Sequence, residues 1–168
     1  MQNTTTTVSA SLAPPTRFMT QLAGMLVNDI DADKFADSLG TTINHPAFIL
    51  GHLSYYAGMA MQLLGGDMEL SDEDTELYQH GAECKSDPAL YPSKDAAIAA
   101  FNERINTVAD FIETCDEAAF AKSSAETPFF EKMPTMGAVA TFMLVGHVPF
   151  HLGQISAWRR IAGMGSAS

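Results

Sequence analysis

Three observations predict an all-α fold, and within that class a four-helix bundle with a long connection between its second and third helices. Four segments carry apolar residues at helical spacing, cap and breaker residues bound them, and no run of alternating apolar and polar residues stands beside them. Two of the four segments, residues 38–66 and 133–158, hold no charged residue apart from histidine. Helices of that composition belong in a core. At 168 residues the chain is one domain, long enough to bury a core without disulfide or metal staples.

Residues 1–14 read as a flexible polar leader with neither the basic nor the apolar region of a signal peptide, and the domain occupies 15–164. Helix 1 is expected over 15–29, with Phe18, Leu22, Met25 and Leu26 on its inner face. Helix 2 opens at Asn44-His45-Pro46, where proline suits the first helical position and keeps the residue before it out of the helical region. It runs through Leu64 and stops at Gly65-Gly66.

The connection over 67–92 is polar, with the acidic run SDEDTE, a lone His80, the turn Asp87-Pro88 and at most a short helix near 75–79. Ser93 caps helix 3, which is expected to reach about Phe120. Its residues Ile98, Phe101, Ile105, Val108, Ile112 and Cys115 alternate three- and four-residue steps, the seam of an antiparallel bundle. A loop through Pro128 and Pro134 leads to Thr135, the cap of helix 4, which ends near Gly163.

The formal net charge is −11, from 9 Lys+Arg against 20 Asp+Glu. That balance argues against nucleic acid and anionic membranes as partners, because neutralising phosphates takes basic clusters this chain lacks. Cys84 and Cys115 form neither a CxxC pair nor a disulfide framework, and read as ordinary thiols of a cytoplasmic protein. The 133–158 segment has the length of a membrane span, but its two histidines, Pro149, Gln154 and several glycines favour a core helix.

His147 and His151 stand four residues apart in GHVPFHLGQ, on one helical face, and His52 lies about two turns into the other chargeless helix. A buried imidazole nitrogen without a partner costs ~1–3 kcal/mol. One reading satisfies such histidines with backbone carbonyls, tyrosines or water. The preferred reading brings all three to one divalent ion and leaves a coordination position open, the arrangement of catalytic rather than structural sites. Such an ion lowers the pKa of a bound water or thiol and presents it to an electrophile. A diiron carboxylate site requires Glu-x-x-His pairs, and no Glu precedes any histidine here by three residues. Three imidazoles suit Zn, Ni, Fe or Cu alike.

The candidates for acid–base or orienting roles are Tyr55 and its neighbour Tyr56, one turn after His52, Gln154, three residues after His151, and His45. His45 with Asn44 equally suits a helix cap, and His80 reads as a surface residue. Pro149 lies between the two helix-4 histidines, where a proline in a helix interior costs ~3 kcal/mol and clashes with the carbonyl of Val145. The helix either kinks there or breaks; a kink keeps both imidazoles on one side and is expected. Val145, Val148 and Leu152 cannot all face one core on a regular helix, which predicts a homodimer.

The segments NHPAFILGHLSYYAG and HVPFHLGQISAWRRIAG, with LYPSKDAA leading into helix 3, resemble the DinB superfamily (DinB/YfiT-like metalloenzymes) over nearly the whole chain. The resemblance implies a four-helix bundle, often homodimeric, with the metal ligands on His52, His147 and His151. It also implies a hydrolase or a transferase that attaches a low-molecular-weight thiol such as bacillithiol or mycothiol to an electrophile. The alternative is a non-catalytic metal-binding dimer with a role in stability, sensing or interaction. Action on DNA, which the family's name suggests, is opposed by the net charge of −11.

Overall fold

A computed structural model describes residues 7–167, and the chain is all-α, with no strand among these residues. The helices are α1 (Val8–Val27), α2 (Pro46–Leu63), α3 (Asp72–Tyr78), α4 (Lys94–Thr114) and α5 (Glu117–Ala121). The last, α6, is one 26-residue helix, Met136–Ile161. α1 and α2 both pack along α4, and α6 lies against α1 and α2. The seam expected on α4 is the centre of the core, with Phe101, Ile105, Val108 and Ile112 fully buried.

α2 begins and ends where local chemistry dictates. His45 is its cap, accepting the Phe48 N–H at Nδ1 (3.1 Å), and Pro46 is its first residue. The other ring nitrogen of His45 donates to the Lys85 carbonyl (3.1 Å), which ties the long connection to the start of α2. His45 is therefore neutral and fully buried, and burial pushes its pKa below the ordinary 6.5. The unfolded chain protonates this group first, so its contribution to stability is complete above about pH 6.5 and declines as pH falls. His45→Asn keeps a cap but loses the bond to Lys85, costing about 1 kcal/mol at neutral pH. The gap between variant and wild type in urea unfolding is expected to narrow from pH 7 towards pH 5; a constant gap would refute this role.

The acidic run of the connection forms the first turn of α3, where Ser71 caps and Asp72, Glu73 and Asp74 face the positive end of the helix dipole. α4 ends at Thr114, short of the expected Phe120. Asp116 turns the chain by accepting the Ala118 N–H (3.0 Å), an aspartate side chain competing with helical bonding, and opens the short α5.

Two expectations for helix 1 are corrected. It starts at Val8, well before residue 15, because its first-turn donors are met from elsewhere. Thr7 caps Ala10, and the Glu117 carboxylate accepts the N–H groups of Val8 and Ser9 at 3.0 Å each. Pro14 and Pro15 thus lie inside the helix. Of the expected leader, residues 1–6 lie outside the described residues. The buried face is Leu12, Thr16, Met19, Ala23 and Val27; of the four residues expected there Leu22 and Leu26 are half-buried against the core, whereas Phe18 and Met25 are 48% and 54% exposed. The buried face thus mixes large and small side chains, Leu12 and Met19 with Thr16 and Ala23.

α6 neither breaks nor stays regular at Pro149. Residues Phe142–His147 form a π-helical segment between the α-helical stretches Met136–Thr141 and Val148–Ile161. The widened turn ends just before Pro149 and gives its ring room from the carbonyl of Val145. It also corrects the helix phase. In an α-helix four residues overshoot one turn by about 40°, so Ala140, Leu144, Val148 and Leu152 would spiral off one face. With the extra residue all four are buried. Val148 and Leu152 therefore do share the core, with Val145 half-buried, and the premise for a homodimer drawn from these three residues falls away.

The C-terminal end of α6 is fastened to the end of α1. Arg159, 2% exposed, donates to the Leu26 carbonyl (2.9 Å) and pairs with both oxygens of Asp29, while Trp158 donates to the Asp37 carbonyl (2.7 Å). The guanidinium holds the Asp29 carboxyl below its usual range.

Candidate metal centre

His52, on α2, is buried; His147 closes the π segment of α6, and His151 follows one turn later. The three rings meet, with centroids 5.0 Å apart for His52–His147, 4.6 Å for His52–His151 and 4.4 Å for His147–His151. One nitrogen from each lies within 4.8 Å of the others, and among the described residues no Cys, Asp or Glu joins the group. The structure thus brings together the three residues that the sequence singled out.

The hydrogen bonds around the rings decide where the lone pairs point. His52 Nδ1–H donates to the Tyr78 carbonyl at 2.8 Å, leaving the Nε2 lone pair directed inward. His151 Nδ1–H donates to Gln154 Oε1 at 3.3 Å, which likewise frees its Nε2. His52 Nε2 and His147 Nε2 are 3.2 Å apart. A single N–H of His147 can serve one of those lone pairs only. Its Nδ1 is buried with no hydrogen-bond partner among the described residues. Left to themselves, the three imidazoles satisfy one another badly. A divalent cation is the species that takes inward-facing nitrogen lone pairs, so the donor set fits such an ion.

The electrostatics agree. Burial, then the charge His151 would carry, pushes His52 down to about 4, and the same causes together with His52 push His147 down to about 3. Burial also lowers His151, against the bond to Gln154. All three are neutral at neutral pH, the form a metal binds.

Gln154 has a second partner. Its Oε1 accepts from Asn44 Nδ2 at 3.3 Å as well as from His151, so the residue preceding the α2 cap reaches through Gln154 to a ring of the cluster. Losing such an outer partner typically costs ~10–100-fold in metal affinity. Gln154→Met is expected to fall in that range and Asn44→Ala below it, while Gln154→Glu, which keeps the acceptor, restores affinity in competition titrations against a chromophoric chelator. Equal affinity of Gln154→Met and wild type would exclude the role.

Two other candidates are not at the centre. His45 has both ring nitrogens committed to backbone groups and is a helix cap. Tyr55 is buried, and its aromatic contact is with Tyr56 rather than with a histidine. Tyr56 is the tyrosine that meets the cluster, with its ring 4.8 Å from His52 and 4.9 Å from His147. Burial raises its pKa, so it keeps its proton. His80 is exposed, as expected, yet close enough for its charge to depress His52 further.

The sequence did not single out Phe142, whose ring lies 6.1 Å from His147. Residues five apart fall on nearly opposite sides of an α-helix; the widened π turn brings this pair together. Phe150 flanks His151 at 5.2 Å and is 67% exposed, so a second aromatic side chain borders the centre on its solvent side. The Tyr78 carbonyl also escaped notice, since a backbone acceptor leaves no mark in composition. Comparison with known proteins returned no matching family model, curated protein or solved structure.

Proposed function

We propose that the chain is a DinB-like metal-dependent enzyme, its helices arranged as a four-helix bundle around a divalent ion (Zn, Ni or Fe) held by His52, His147 and His151. The observation that carries this reading is the convergence of three neutral imidazoles with no carboxylate among them and with the Nε2 lone pairs of His52 and His151 held inward. An ion held there would supply Lewis acidity, which lowers the pKa of water or a thiol towards neutrality. The chain's own residues bind and orient. The Tyr78 carbonyl and Gln154 hold two rings in the required tautomer, Tyr56 keeps a phenolic proton beside the cluster, and Phe142 and Phe150 stand against His147 and His151.

The reaction class is hydrolysis, or transfer of a low-molecular-weight thiol to a small electrophile, in the cytoplasm. In the transfer, the thiolate sulfur forms a bond to the electrophilic carbon and the leaving group departs with that carbon's bonding pair. Nucleic acid does not suit a chain of net charge −11. The homodimer stays part of the proposal on other grounds: Phe18, Met25, Phe150 and Ile161 are large apolar side chains that the single chain leaves exposed.

The test is metal analysis of purified protein followed by a screen of thiols, including bacillithiol and mycothiol, against electrophiles. The expected outcome is about one equivalent of metal per chain and turnover that disappears with chelation. Bound metal without turnover across the panel would favour the non-catalytic metal-binding dimer. Absence of metal binding would remove both readings.

A further inference from the structure

A groove of about 620 Å³ lies between the start of α1, α5 and the first turns of α6. Its volume falls in the range of small-molecule sites. Val8, Phe120, Ala121, Gly137, Ala138 and Phe142 supply most of its wall. The polar groups in that wall are already engaged. Both Glu117 oxygens accept the N–H groups that open α1, Thr141 Oγ1 donates to the Gly137 carbonyl (2.7 Å), and Thr135 Oγ1 accepts the Ala138 N–H (3.2 Å). The groove therefore presents mainly apolar surface to a ligand, with the Glu117 carboxylate, engaged by α1, as the one charged group of its wall.

Phe142 belongs to both places. It lines the groove and stands 6.1 Å from His147, and it reaches the histidine only because residues 142–147 are π-helical. Such wide turns are rare in helices and occur frequently at functional sites. Here the wide turn places one aromatic side chain both on the wall of the groove and against His147.

We propose that the groove receives the tail of the molecule whose head group is held at the three histidines. The ligand class is then a small amphiphile with a metal-binding head and an uncharged, apolar tail. This rests on the metal reading above.

Acyl hydroxamates, whose heads chelate divalent ions, test it. Zinc-loaded protein is titrated with the acetyl, butanoyl, hexanoyl and octanoyl members. Each buried methylene tightens binding by at most about fourfold, and the octanoyl probe is expected to bind at least about tenfold tighter than the acetyl probe. Thr141→Trp, at an exposed wall position, is expected to bring the octanoyl-to-acetyl ratio towards one; Ala138→Leu serves if that variant does not fold. A flat series in wild type, or a ratio that survives a filled groove, overturns the proposal.

Failure of the metal reading is recognised separately, as no zinc retained and no binding of the acetyl probe. In that event metal-free protein is titrated with octanol and followed by amide chemical shifts. Shifts at Gly137, Ala138 and Thr141 uphold the groove. Their absence, or shifts confined to the second groove at Leu22, Met25 and Gly153, overturns it.

Discussion

His147→Ala is expected to abolish most of the stabilisation by metal while leaving the metal-free protein folded. Loss of an outer partner costs ~10–100-fold in affinity, so loss of one of three ligating imidazoles should cost at least about 100-fold. At ligand concentrations near 100 times Kd, the wild type gains about 2.7 kcal/mol. For a domain of this size that corresponds to a rise in Tm of about 5–10 °C. The variant should rise by no more than about 1–2 °C at the same concentration. Its metal-free Tm should stay close to that of the wild type, because the truncation removes packing but also removes a buried nitrogen without a partner. Differential scanning calorimetry with and without zinc, nickel or iron(II) reads both quantities. A wild type whose Tm ignores every divalent ion would sink the metal centre. A variant that unfolds without metal would show instead that the histidine is structural.

What could be read in the sequence, and what could not, divides along the range of the interactions. Both ends of α2 are set by residues adjacent in the chain, with His45 and Pro46 opening it and Gly65 and Gly66 closing it, and both were legible. The seam of α4 and the shared face of His147 and His151 were legible too, because helical spacing is a local property, whereas His52, 95 residues from His147, was joined to them only by the cost of leaving imidazoles unpaired in two chargeless helices. The start of α1 was not. Its first donors are satisfied by Glu117, 109 residues away from Val8, and nothing near Val8 announces that bond. The inner face of α1 was misread in part because it includes Thr16 and Ala23 beside Leu12 and Met19 while Phe18 and Met25 stay exposed, so bulk and hydropathy alone did not mark it.

The π segment lies between these cases. Its trace is a run of apolar positions at four-residue steps, Ala140, Leu144, Val148 and Leu152, just ahead of and across a proline. Read with α-helical geometry, that run demands a second apolar environment, hence the inference to a dimer from Val145, Val148 and Leu152. Read with one wide turn it demands none. Gln154 was found from its spacing to His151, but Asn44 was taken only for a companion of the α2 cap. Its link to Gln154 crosses between helices and has no local signature.

Gly51→Ala is expected to damage stability and metal affinity together, through one contact. A Cβ at position 51 would lie 2.2 Å from Tyr78 Cζ and 2.6 Å from its hydroxyl oxygen, so the ring occupies the space a side chain would take. Tyr78 is buried and ends α3, and its carbonyl is the acceptor that holds His52 Nδ1–H at 2.8 Å. Overpacking of this kind typically costs ~1–3 kcal/mol. Relief requires the Tyr78 ring to move, and the carbonyl that orients the ligand is carried with it. Metal affinity should therefore fall by about 10-fold or more, in the range for a lost outer partner. Tyr78→Leu in the Gly51→Ala background shortens the intruding side chain and should recover both quantities in part. The two substitutions then show a coupling of ~0.5–3 kcal/mol in a double-mutant cycle, as contacting residues do. Loss of stability with unchanged metal affinity would detach Tyr78 from the centre, and additive effects would remove the contact itself as the cause.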